Sequence, residues 1–107
     1  MFVIAVYCPV AQAEDIKFAM FRAGAGRIGQ YEACAFEYPG VGQFRPLDGA
    51  HPHVGQVGEI ERVKEVKVEM VCKEEFLGRV IAAMRRAHPY EEPAFHVLKN
   101  YSAQFES

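Results

Sequence analysis

A chain of 107 residues has the length of one ordinary domain, and folding at that length removes about two-thirds of the unfolded surface from water. Half of the residues are apolar and 24% are charged, a globular composition that excludes disorder and a membrane class. The net charge is only -2, so there is no basic footprint for a nucleic-acid backbone or an anionic membrane surface.

The apolar run over residues 1–6 is far too short to span a bilayer, and no basic stretch precedes it as a signal peptide would require. A cytoplasmic protein is expected. Cys8, Cys34 and Cys72 are odd in number and widely spaced, without a Cys-x-x-Cys pair. They point to buried thiols rather than to disulfides or a zinc knuckle.

Residues 2–7 are β-branched and aromatic and end at Cys8-Pro9, which predicts a strand buried on both faces. Over residues 11–23 the side chains of Ala13, Ile16, Ala19, Met20 and Ala23 recur at helical spacing, with Glu14 and Asp15 in the first turn and Gly24 as a stop. Residues 31–38 alternate, with Cys34, Phe36 and Tyr38 on one side. Pro39-Gly40 is expected to turn the chain, and residues 41–45 to return as the second arm of a hairpin. Residues 47–58 hold three glycines, one proline and two histidines with no period, which predicts a long loop of the kind that carries function.

Residues 61–71 alternate again, Val66, Val68 and Met70 against Glu65, Lys67 and Glu69, as in a strand with one wet face. Over residues 73–87, Leu77, Val80, Ile81 and Met84 form a helical stripe, with Glu74 and Glu75 at its start and Arg85 and Arg86 at its end. His88-Pro89 stops that helix. Residues 94–98 supply a last strand, and residues 100–107 form a polar tail.

The order is βαββαβ within a single domain spanning residues 1–107. Two right-handed βαβ crossovers place both helices on one face of a four-stranded antiparallel sheet, an α+β sandwich of the ferredoxin-like kind. The other face is left bare, with Phe36, Tyr38 and Phe44 at hand to be covered by a second copy. Self-association is therefore expected, as a homotrimer first and a dimer second.

Catalytic signatures are sparse. Serine occurs only at Ser102 and Ser107, and there is no phosphate-binding Gly-x-x-x-x-Gly-Lys run. Gly24-x-Gly26-x-x-Gly29 has the letters of a dinucleotide fingerprint, but it follows a helix instead of opening one, so it lacks the helix N-terminus that holds a pyrophosphate. Two clusters carry chemistry. His51 and His53, one residue apart across Pro52, are candidate ligands for a divalent transition metal, although a closed site needs a third ligand. His88, Tyr90, Glu91 and Glu92 lie between Pro89 and Pro93 as candidate ligand-binding residues. His88, at a helix C-terminus, is expected as a cation paired with Glu91 or Glu92, either as a structural clamp between helix and last strand or as an acid–base pair. His96 is expected to be a satisfied sheet histidine.

The segments from Phe21 to Phe36, from Gly40 to Gly55 and from Ala87 to Phe95 (AHPYEEPAF) together resemble the PII-like insert domain of the YqfO, or Nif-three-like, proteins. His-Pro-Tyr-Glu at residues 88–91 is also similar to a segment of the CutA proteins, which share that fold. The resemblance runs from Phe2 to Leu98 and implies a ferredoxin-like domain of a kind that assembles about a threefold axis in PII and CutA proteins. In the Nif-three-like proteins the di-metal site belongs to the domains flanking the insert, so the resemblance assigns no metal ligand to this chain. PII proteins sense nucleotides and metabolites through a long loop and CutA proteins are linked to divalent cations, but neither property follows from fold.

The functional expectation is a regulatory or ligand-sensing module whose subunit clefts, lined by residues 40–58 and 88–92, take a small molecule or an ion. A protein-interaction module docking by sheet edge or face is the second, and a small enzyme using His88 with Glu91 or Glu92 the third.

Overall fold

The computed structural model describes residues 1–105. The sheet is built from β1 (Phe2–Pro9), β2 (Phe36–Phe44), β3 (Glu61–Cys72) and β4 (Phe95–Lys99), with α1 (Ala13–Ala23) and α2 (Glu74–Ala87) as the crossover helices. Its strand order is β2-β3-β1-β4 and every pairing is antiparallel. This is the expected βαββαβ sandwich.

The register separates the two faces. Ile4, Val6 and Cys8 of β1 lie beside Met70, Val68 and Val66 of β3, and all six join one buried cluster with Ile16 and Met20 of α1 and Val80 and Met84 of α2. Both helices therefore cover the same face. Burying each of the large aliphatic side chains in this cluster contributes roughly 1.5–3 kcal/mol. On the opposite face, Phe36 is 68% exposed, Tyr38 40% and Leu98 61%.

Three expectations need correction. Pro39-Gly40 does not turn the chain: β2 runs unbroken from Phe36 to Phe44, with Pro39 beside Val66 and Gly40 beside Glu65. A proline is tolerated there because β2 is an edge strand and has a neighbour on one side only. The partner in the hairpin is β3, reached through residues 45–60, so the predicted loop over residues 47–58 is the hairpin's own connection.

Residues 31–35 are not strand either. Gly26 donates its N–H to the Val71 carbonyl at 2.8 Å and accepts one from Cys34 at 2.8 Å, which ties residues 26–34 into a loop against β3. Ala33 adopts φ 57°, which a strand does not allow. At Gly26, φ is 77° and a Cβ would come within 2.7 Å of the Phe21 ring, so glycine is required by both conformation and space.

Cys8 and Cys72 are buried as expected, but Cys34, carried on that loop, is only half-buried. The polar tail contains a short 3-10 turn, Ser102–Phe105, and its last two residues, Glu106 and Ser107, lie outside the described residues. Among the described residues no helix is long and apolar enough to cross a membrane.

Candidate functional site

β3 outruns β1. Its residues Glu61 to Lys64 pair with β2 alone, so the end of the β2–β3 hairpin projects beyond the rest of the sheet in a molecule 52 Å long and 23 Å wide. The connection over residues 45–60 is closed at its neck by Gly58 donating to the Pro46 carbonyl at 2.8 Å, with Pro46 itself buried. It folds back towards the segment after α2, and the space between them is a cleft of about 590 Å³. That volume lies in the ordinary range for small-molecule sites.

The two candidate clusters meet there. The His51 backbone N–H donates to the Glu91 carboxylate at 2.9 Å. The Tyr90 ring lies 5.9 Å from Phe44 of β2 and 6.2 Å from His53 of the loop, so one aromatic side chain receives both walls. Tyr90, Glu91, Glu92 and His53 line the cleft, together with Tyr7, Phe44 and Glu65.

His88 is not among the lining residues. It sits behind Tyr90, 6% exposed, with the two rings 5.1 Å apart. Its Nδ1 accepts the Tyr90 N–H at 3.1 Å, which leaves Nε2 to carry the proton and donate to the Tyr7 carbonyl at 2.8 Å. Burial holds this imidazole below its ordinary pKa, the bond to Tyr7 offsetting part of that effect. The expected cation paired with Glu91 or Glu92 is therefore replaced by a neutral ring bonded to backbone on both nitrogens. The helix dipole favours a charged histidine by at most a kcal/mol or two, and desolvation outweighs it. The expected clamp between helix and last strand is replaced by another: His88 joins the end of α2 to β1, through a backbone carbonyl rather than a carboxylate.

Tyr90 is the reverse case, a polar atom left over. Its hydroxyl is buried and, among the described residues, makes no hydrogen bond of good geometry, although the Glu65 carboxylate is close enough to interact with it. Burial and the neighbouring Glu65 carboxylate push the phenol up to about 12. Burial also raises Glu65, with Tyr90 partly offsetting it. The Glu65 side chain reaches across the sheet over β2, where a Cβ on Gly42 would stand 1.8 Å from its Oε1. Gly42 thus makes the room in which this carboxylate lies.

His51 and His53 are both exposed, and of the two only His53 lines the cleft. Among the described residues, no group of three or more His, Cys, Asp and Glu side chains is placed to hold a metal ion, so the two histidines do not form a closed metal site within one chain. His96 is exposed in β4 and meets the Tyr7 ring edge-on at 5.7 Å.

Sequence reasoning placed Phe44 in the cleft through residues 40–58 but missed Glu65 and Tyr7. Alternation in β3 gave Glu65 only a wet face, and the available signal was the pair Gly40 and Gly42 in the neighbouring strand, whose missing side chains open the space above it.

No family model matches the chain. Over 93 residues it is 49% identical to the GTP cyclohydrolase 1 type 2 homolog of Mycobacterium tuberculosis, a match covering 87% of this chain and 24% of that protein. The protein of the same name from Bacillus subtilis is 48% identical over 94 residues, 88% of this chain and 25% of that one. The chain thus spans about a quarter of the length of these curated relatives. Among solved structures, a Bacillus cereus protein related to NIF3 superposes with a TM-score of 0.81 at 39% identity, over 94% of this chain and 25% of that one. The periplasmic divalent cation tolerance protein CutA of Archaeoglobus fulgidus superposes with a TM-score of 0.67 at 19% identity, over 94% of this chain and 85% of that one. At that identity the likeness is one of fold.

Proposed function

We propose that this chain is a domain of the NIF3-related, YqfO-like kind, to which it is similar over about a quarter of those proteins' length, and that it is a ligand-sensing module whose site is the cleft between the β2–β3 connection and the segment after α2. One observation carries the reading: the loop with no core-forming period is docked, by His51 on Glu91 and by His53 beside Tyr90, against the proline-bounded segment. A connection that merely joined two strands has no need of such contacts. A ligand held between the two walls draws them together or spreads them, which is how a binding event becomes a change of shape.

Self-association is part of the proposal. The exposed Phe36, Tyr38 and Leu98 on the helix-free face favour burial between copies, in a trimer before a dimer. A divalent transition metal held by His51 and His53 would take its further ligands from a neighbouring copy. The relatives' name describes proteins about four times longer than this chain, and the cyclohydrolase chemistry it mentions is not part of the proposal.

Thermal shift against a panel of metabolites and divalent ions tests the reading, since a ligand that binds the folded state alone at 100 times its Kd stabilises it by about 2.7 kcal/mol. Raised melting that is lost on changing Tyr90 or Glu91 supports the cleft. No shift with any compound, or shifts indifferent to those changes, removes it.

A further inference from the structure

We propose that the cleft selects a small arylalkylamine, its ammonium seated between Glu65 and the Tyr90 hydroxyl; this deepens, and rests on, the reading of the cleft as a ligand site. Three features of the floor point to a cation. Among the described residues, Glu65 has no salt-bridge partner. Lys67, two positions on along β3 and on the same face, is turned to Glu69 at 3.8 Å and to the rings of Tyr7 and Tyr38 at 5.5 and 5.6 Å. A half-buried carboxylate is thus left without the positive charge that burial makes favourable.

The second feature is the phenol beside that carboxylate. Among the described residues the buried Tyr90 hydroxyl makes no hydrogen bond of good geometry, its polar neighbour being the Glu65 carboxylate, and a buried polar group so poorly satisfied costs stability. An ammonium carries three donors, so one group satisfies the carboxylate and the phenol oxygen together. The third is Gly42, whose missing side chain leaves the room in which the Glu65 carboxylate lies over the floor.

The walls decide the rest of the ligand. Tyr7, Phe44, Tyr90 and His53 surround the floor with aromatic rings, and the mouth adds Glu91 and Glu92 against Arg45. Aromatic faces favour both a flat apolar body and the cation attached to it. An anionic ligand of the same shape would instead bring a second negative charge to Glu65.

Calorimetric titration with tyramine and tryptamine, and with their acidic counterparts 4-hydroxyphenylacetate and indole-3-acetate, tests this on the wild type, Glu65→Gln and Gly42→Ala. The amines are expected to bind at least about tenfold more tightly than the acids. Both variants should lose at least about tenfold in amine affinity while keeping the oligomeric size and cooperative melting of the wild type, Gly42→Ala because its Cβ displaces the carboxylate. Acids binding as well as amines, or amine binding unchanged in both variants, overturns the proposal. Absence of amine binding overturns it too, and the metabolite panel then separates the two failures: if another compound binds in a Tyr90-dependent way the cleft stands and only its cation preference falls, whereas if none binds both fall.

Discussion

His88 Nε2 donates to the Tyr7 carbonyl at 2.8 Å, joining the last turn of the molecule's second helix to the middle strand on which the cleft is built. The same imidazole accepts the Tyr90 N–H through Nδ1, so one neutral side chain fixes both the strand and the aromatic residue that faces the ligand space. Protonation of Nδ1 would remove its capacity to accept.

That relationship sets a pH dependence. The folded-state pKa of His88 is lowered from 6.5 by burial, so between that lowered value and 6.5 the unfolded chain binds the extra proton and the folded one does not. Stability from His88 is therefore complete above about pH 6.5 and declines as pH falls below it. Glu65, whose folded pKa is raised from 4.5, acts in the opposite sense, its contribution being present at low pH and lost as pH rises through the raised value. Comparing the wild type with His88→Gln cancels the Glu65 effect. The wild type should melt higher at pH 7.5, and the gap should narrow steadily towards pH 5. A gap independent of pH would show that the imidazole does not titrate as its burial requires.

Tyr90 should separate packing from polarity. Its ring touches those of His88, Phe44 and His53, and truncation to alanine should cost about 3 kcal/mol in chemical denaturation. Tyr90→Phe keeps the ring and deletes a buried hydroxyl that makes no hydrogen bond of good geometry among the described residues, so it should be neutral or stabilising by up to about 1 kcal/mol. A phenylalanine variant as unstable as the alanine one would mean that the hydroxyl is bonded in the ligand-free protein.

The helix-free face should hold the copies together. Light scattering at micromolar concentration should give a mass near three times 12.0 kDa, and Phe36→Lys combined with Leu98→Lys should shift it towards the monomer without loss of helical signal, because both side chains project from that face. A wild-type monomer at all concentrations would remove the interface.

Much of this fold was legible in the sequence because its signals are local. Ile16 and Met20, or Val80 and Met84, announce a helix by their own spacing, and Val66, Val68 and Met70 announce a strand face by theirs. The errors came where a distant contact overrides the local pattern. Pro39-Gly40 has turn chemistry, yet pairing with Val66 and Glu65 holds it extended at the sheet edge. Ala33 sits in an alternating run, yet bonds from Gly26 to β3 and to Cys34 bend it into a loop.

The site shows the same division. His51, His53, Tyr90 and Glu91 stood out by residue type and were expected to line shared subunit clefts, whereas the fold brings them together within one chain across forty positions. His88 had the sequence context of a helix-end cation, and only its burial against Tyr7 shows it to be neutral.

If two segments distant in sequence form one cleft, amide chemical-shift mapping during titration of a binding compound should show it. The amides of Phe44, His53, Glu65, Tyr90 and Glu91 should shift together with a single saturation curve, since they surround one space. Shifts confined to the histidine loop with Tyr90 and Glu91 unmoved, or centred on the helices, would contradict it.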